Sequence, residues 1–419
     1  MSGDKKHKHL QGILPLKKRE ETQNRWLFHR LNTLLPSLMK KHNLDMWIIA
    51  GREYNEDPVL KSLYPSSIDG SGRLTILVFY LDGDQQMKRW VLHPNPNFEP
   101  FYERVWKPED CDQWECLKRI VEVHYPDTIA LNYSPTFAAS DGLSHSFYQH
   151  LSILLDEYSH KFVSAQHIIV DWLSIRSSKE LTAYPSIAEL ARQIAAEALS
   201  GAVIHPGITT TEDVVDWIRQ RVLDLGMETS FYPTVDLQRK GAALERLEGE
   251  IIRCGDIVHL DFGIRYLGLA TDTQQLAYIL YPGEEEAPEG LQSALQTALR
   301  FEDIITEEMK VGRTGNEVFQ SAMNKARDEE IEAMLYSHPI GNHCHEAGAL
   351  MGLYDQQRDI PIKGDLPLTA NTCYAMEFNI KQFIPEWNQV IPIYLEEPVA
   401  FIQNRLEYMA KRQMTFYLI

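Results

Sequence analysis

At 419 residues the chain exceeds the length at which a single hydrophobic core usually stops growing, so two domains are expected. A hydrophobic content of 44% with 24% charged residues is that of a soluble globular protein, and the longest apolar run, Leu74–Leu81, is far too short to span a membrane. The net charge of −18 argues against a nucleic-acid or anionic-membrane surface and leaves room for divalent cations to neutralise part of it.

The first residues, MSGDKKHKHLQG, are polar and basic and lack the apolar segment of a signal peptide, so residues 1–23 are expected to form a flexible arm. Five scattered cysteines without a CxxC fit reduced thiols in a cytoplasmic protein, not a disulfide framework or a structural zinc site. An amphipathic helix is predicted over Trp26–Lys41, with Leu27, Leu31, Leu34, Leu35 and Leu38 at the helical period. Strands follow at Met46–Ala50, Leu74–Leu81 and Arg89–His93, then a helix near Gln113–Val123, a strand at Thr128–Asn132 and a helix near Ser146–Glu157. This alternation predicts an α/β domain over residues 24–172. It contains no phosphate-cradling glycine loop and no catalytic cluster, so it reads as a scaffold or oligomerisation domain.

A different regime begins near residue 173, at Ile175–Lys179. A helix over Ile187–Ile204 stops at His205-Pro206-Gly207, and Thr209–Glu212 supplies a capping-box start for a helix through Leu225. The arrangement recurs as a helix Leu291–Lys310, a stop at Val311-Gly312 and a cap at Thr314–Glu317. Each helix pair is accompanied by an acidic β-hairpin, which predicts a duplicated helix–helix–hairpin unit with a site at the seam.

The first hairpin joins Asp256–Ile264 to Leu269–Ile279. With Tyr266 and Leu267 as its loop, Asp261 lies directly opposite Asp272, their Cβ atoms roughly 4.5–5.5 Å apart. Two like charges that close on an apolar hairpin need a shared proton or a cation. The second hairpin joins Thr372–Ile380 to Gln389–Gln403 through Pro385–Asn388, and sets Glu377 opposite Glu396. Between the hairpins, SHPIGNHCHE (337–346) holds His338, His343 and His345. Four carboxylates with an imidazole suit two divalent ions of the Mn, Co or Zn type better than a tetrahedral structural zinc. Such a pair, roughly 3.5–4 Å apart, serves both the attacking and the leaving atoms of a hydrolysis. No activated serine or cysteine nucleophile is apparent, and Cys344 has no claim beyond its neighbours.

Asp261, Asp272, His338, Glu377 and Glu396 resemble, in order and type, the five metal ligands of the pita-bread metallopeptidases, which include methionine aminopeptidase, aminopeptidase P and prolidase. GDIVHLDFG and YLEEPVAF are similar to the family's GDxVxxDxG and RIEDxVLV, and the resemblance covers about Ser177–Met409. It implies an α/β N-terminal domain followed by an α+β pita-bread (creatinase/aminopeptidase-like) catalytic domain over residues 173–419. It also implies two divalent metal ions, manganese first with zinc or cobalt as alternatives, with Asp261 on one ion and Asp272 and Glu396 bridging. Glu377 takes the role of general base and His345 that of the substrate-binding histidine, with His343 as an assistant or a plain surface residue. The activity implied is that of an Xaa-Pro aminopeptidase or dipeptidase acting on short peptides, in a homodimer. The alternatives are a metallohydrolase of a non-prolyl amide or ester, or a catalytically weak binding module on the same fold. The chain departs from the family at Leu244, where an upstream histidine is expected, at Met334, where the prolyl branch has a second histidine, and at Tyr394, where an arginine precedes the last glutamate. Hydrolysis is therefore the firmer expectation and proline specificity the weaker.

Overall fold

The computed structural model describes residues 13–83, 86–242 and 246–419; Leu244 and residues 1–12 of the predicted arm lie outside them. Two compact units are present, Leu16–Ser177 and Ser178–Ile419, the latter together with the residues through Pro15.

The first unit opens with α1 (Leu16–Lys41), which begins well before Trp26 and takes in the last part of the predicted arm. The segment LKKREETQNR consists mostly of good helix formers but is polar all round, so it carries no apolar period to announce itself. The elements that follow are β1 (Met46–Gly51), the single turn α2 (Leu60–Leu63), β2 (Thr75–Leu81), β3 (Met87–Leu92), β4 (Glu103–Arg104), α3 (Gln113–His124), β5 (Ile129–Leu131), α4 (His145–Leu154), β6 (Phe162–Ser164) and α5 (Gln166–Ser174). They build a mixed six-stranded sheet of order β4-β3-β2-β1-β5-β6. β1 is apolar throughout because both of its faces are covered. Trp47 and Ile49 join the core that holds Leu31 and Trp172, whereas Met46, Ile48 and Ala50 join the one that holds Leu117 and Leu151.

The second unit starts with α6 (Ser178–Ala198), which runs through Pro185 instead of starting after it, and ends short of Ile204. Next comes α7 (Thr211–Asp224), whose capping box is Thr210 with Asp213, one residue beyond the predicted pair. The strands β7 (Glu228–Thr229), β8 (Thr234–Gln238), β9 (Ile257–Phe262), β10 (Ile264–Tyr266), β11 (Leu269–Ala270) and β12 (Thr273–Tyr278) follow. The second helix pair is α8 (Glu289–Glu308) and α9 (Gly315–Asp328), the latter boxed by Thr314 and Glu317 as the sequence predicts. After it come β13 (Glu332–Leu335), β14 (His338–Ile340), β15 (Cys373–Ile384), β16 (Gln389–Ile402), β17 (Arg405–Tyr408) and β18 (Tyr417–Leu418).

The large sheet of this unit has the order β13-β15-β16-β12-β9-β8, with β14, β17 and β18 paired to its side. α8 covers it through Leu291, Phe301 and Ile305, packed with Phe378 and Ile393. A helix pair followed by a hairpin occurs twice, and the hairpins meet where β12 pairs with β16. Among the described residues no helix is long and apolar enough to cross a membrane.

Candidate metal centre

The first hairpin turns at Leu267 and Gly268, both left-handed with φ of 54° and 79°, which is the two-residue turn whose twist matches the flanking strands. Tyr266 therefore pairs with Leu269, and Asp261 pairs with Gln274 rather than with Asp272. The predicted register is wrong by two residues. Because side chains alternate with period two, that slip leaves both aspartates on one face, as diagonal neighbours. The ladder breaks between them at Gly263, where a Cβ would lie 1.9 Å from the Thr271 carbonyl oxygen. Beyond the break the hairpin leaves the large sheet and pairs with β7.

The second hairpin has the predicted register: Ile384 faces Gln389 and Glu377 faces Glu396. The seam then completes a transverse row. Asp261 faces Gln274, Gln274 faces Glu396, and Glu396 faces Glu377, so four adjacent strands present one row of side chains on one face. His338 opens β14 opposite Ala375, two positions along β15 from Glu377 and so on the same face. Ser337 clamps this corner, its hydroxyl accepting from the Glu377 amide at 3.0 Å.

The carboxylates and His338 converge. Asp261, Asp272 and Glu396 form one group whose ligand atoms lie within 4.8 Å of one another, and His338, Glu377 and Glu396 form a second. His338 Nε2 lies 3.8 Å from Asp272, 3.9 Å from Glu377 and 3.9 Å from Glu396. Its Nδ1 faces the Pro339 carbonyl at 3.1 Å, which can only accept, so the proton sits there and Nε2 offers its lone pair to the cluster. Burial, then the neighbouring His345, push His338 down to about 3.

Burial raises Asp261 to about 6. Burial and the surrounding carboxylates hold Asp272, Glu377 and Glu396 well above their usual range. Asp261 Oδ1, Asp272 Oδ1, His338 Nε2 and both Glu396 carboxylate oxygens are buried without a hydrogen-bond partner. Orphaned acceptors aimed at a common space are costly unless a cation or protons fill it, and this set of hard oxygens with one imidazole fits divalent metal ions.

The sequence matches Metallopeptidase family M24 over residues 187–404, just over half of the chain. The chain belongs to this family. No curated protein matches it. Among solved structures the M24 chain is similar to X-Pro aminopeptidase from Thermotoga maritima MSB8, at TM-score 0.68 and 17% identity over 91% of this chain and 100% of that one. Xaa-Pro dipeptidase from Bacillus anthracis gives 0.63 and 17%, over 94% and 99%. A variant of Escherichia coli aminopeptidase P gives 0.61 and 14%, over 92% and 94%. At these identities what is shared is the fold, an α/β N-terminal region with an α+β pita-bread domain.

Around the cluster of this M24 chain, His345 is exposed and stands edge-on to His338, ring centroids 4.4 Å apart, with a nitrogen close to both Asp272 and His338. His343 turns away, its Nδ1 3.3 Å from both oxygens of the buried Glu346. Cys344, for which the sequence made no case, donates its thiol to Asp272 Oδ2 at 2.8 Å. Burial, then Asp272 itself, push that thiol up.

Of the changed positions, Met334 is half-buried opposite Asn379, whose amide reaches its sulfur at 3.8 Å. Tyr394 is buried against His259, and the Arg246 guanidinium lies over its ring at 5.4 Å. Leu244 falls outside the described residues. Sequence reasoning also passed over Gln274, His259 and Asp236. Gln274 donates to Glu377 Oε1 at 2.6 Å, His259 lies between Gln274 and Asp236, and Asp236 takes Arg246 at 2.6 Å. Burial pushes Asp236 up, but His259 and Arg246 outweigh it and hold the carboxyl below its usual range. A signal was present, since His259 and Gln274 stand two residues from Asp261 and Asp272 and so share their face.

Proposed function

We propose that the protein is a dinuclear metal-dependent hydrolase, an Xaa-Pro aminopeptidase or dipeptidase that releases the residue before proline from short peptides. One observation carries this reading: ligand atoms of Asp261, Asp272, His338, Glu377 and Glu396 converge, and most of them are buried with no protein partner. Manganese is the favoured ion, with zinc or cobalt next, because the donors are mostly carboxylate oxygens with one imidazole. Asp261, Asp272, His338, Glu377 and Glu396 are the residues that would hold the ions. Bound ions of this kind supply Lewis acidity and an acidified water.

The chain's own residues do the rest. Glu377 has one oxygen held by Gln274 and the other turned towards His338, so it is placed to take the proton of the attacking water. His345 borders the cluster and is exposed, which suits a donor to the scissile carbonyl and to the oxyanion it becomes. Short peptides are the substrate class, a homodimer is the working assembly, and the five free cysteines support a cytoplasmic setting.

The deciding experiment pairs elemental analysis after loading with Mn, Co or Zn with a panel of Xaa-Pro peptides. Close to two ions per chain and cleavage before proline are expected. A chain that takes up no transition metal sinks the reading. A second reading, a hydrolase of non-prolyl amides or esters, draws support from Met334 and Tyr394. Two bound ions with no prolyl cleavage would favour it.

A further inference from the structure

Behind the ligands a line of buried polar groups runs from strand to strand. Gln274 is the one neutral member of the row Asp261–Gln274–Glu396–Glu377. Its amide nitrogen donates to Glu377 Oε1 at 2.6 Å and its carbonyl oxygen faces His259 Nε2 at 3.0 Å. His259 Nδ1 faces Asp236 Oδ2 at 2.9 Å, and the same oxygen receives Arg246 Nη2 at 2.6 Å. Asp236, His259 and Gln274 are 0%, 1% and 3% exposed, so water cannot replace any of these partners.

We infer that Gln274 and His259 are positioning residues that fix which oxygen of Glu377 faces the metal centre. The inference rests on the metal reading above for its purpose, and on donor logic for its mechanism. An ionised Glu377 only accepts, so the Gln274 NH2 must face it and the carbonyl must face His259. His259 then has to donate from Nε2 to that carbonyl and, because Asp236 also only accepts, from Nδ1 to Asp236, which holds the ring in that pose. If the His259 donor is removed, the Gln274 carbonyl is buried without a partner. The group that pins the amide from behind is then lost, and the tether on Glu377 slackens. Glu377 is the ligand that needs such a tether, since its side chain is 18% exposed against 1% for Glu396. Its second oxygen, 3.9 Å from His338 Nε2, is left for the cluster.

Three variants of the full chain test this. Gln274→Met keeps the length and removes the amide. His259→Phe keeps a ring against Tyr394 and removes the donor. His259→Gln loses the ring but carries an amide nitrogen to about the place of Nε2. Calorimetric titration with Mn²⁺ is expected to show one ion bound on the order of 10–100-fold more weakly in the Met and Phe variants. The His259→Gln variant is expected to recover most of that loss. A merely structural role predicts the reverse order, with the apolar Phe tolerated better than Gln in so buried a place, and that order would overturn the inference. Crystal structures of the metal-free chain and of metal-free Gln274→Met read the tether independently of any ion. A Glu377 carboxylate rotated out of its place in the variant supports it, and an unmoved carboxylate overturns it. Wild-type protein that binds no Mn²⁺ would count against the metal reading, and the Glu377 rotamer would then decide the tether by itself.

Discussion

At the scale of single residues the cluster sets two neighbouring histidines in different surroundings. His338 is buried with its lone pair on the carboxylates, whereas His345 stands exposed at its edge. His338→Ala is expected to lose an ion, while His345→Ala keeps both ions and loses on the order of 10²–10³ in turnover, the usual cost of one oxyanion donor. Equal metal loss in the two variants, read by elemental analysis, would refute this division. The carboxylates make a second, less intuitive prediction. Burial lifts the folded-state value of Asp261 from 3.8 to about 6, so over that range the metal-free folded chain holds more protons than the unfolded one. The group therefore costs nothing at pH below its unfolded value, and its penalty develops as pH rises through about 4 to 6 and stays above that. Metal-free Asp261→Asn should accordingly melt higher than metal-free wild type at pH 7 and converge with it near pH 3, while binding metal far more weakly. Thermal scans in chelator across that range check the sign.

At the scale of elements the two hairpins show what was legible and what was not. The β15–β16 register was readable because Pro385–Asn388 marks its turn and long apolar strands flank it. The β9–β12 register was not, because its left-handed turn begins with Leu267, a residue that does not advertise a positive φ as asparagine or glycine would. The error was even, so the two aspartates stay on one face and still converge with Glu396. The start of α1 was hidden for a different reason, since a helix that is polar all round has no period to read. The tether through Gln274 was hidden because a neutral residue in a strand attracts no attention until its row is known. Gly263 is the element-scale test. A Cβ there meets a backbone oxygen and not a flexible side chain, so Gly263→Ala must displace the break between Asp261 and Asp272. A loss on the order of 1–3 kcal/mol in stability is expected from such overpacking, together with weakened metal binding. Unchanged denaturant midpoint and unchanged Mn²⁺ affinity would show that the break does not set the spacing of the aspartates.

At the scale of the whole molecule, the question is which amide the centre meets. The chain shares its fold with solved X-Pro aminopeptidase, Xaa-Pro dipeptidase and aminopeptidase P structures across nearly all of their length, and it brings together the five residues that the sequence pointed to as candidate ligands. Yet Met334 offers only a thioether and Tyr394 a phenol turned towards His259 and Arg246. A wall with fewer polar groups discriminates less, because a misfitting substrate leaves fewer buried partners unpaired. Cleavage of Xaa-Pro dipeptides and Xaa-Pro-Yaa tripeptides is therefore expected with a shallow preference over Met-Ala-type controls, on the order of 10- to 200-fold in kcat/KM, the range that apolar fit alone provides. The measurement is kcat/KM for the whole panel with Mn, Co or Zn supplied in turn. Controls cut faster than every prolyl peptide would end the prolyl assignment and leave the metal centre to a different amide or ester, whereas a preference far above this range would mean that proline is read by groups other than residues 334 and 394.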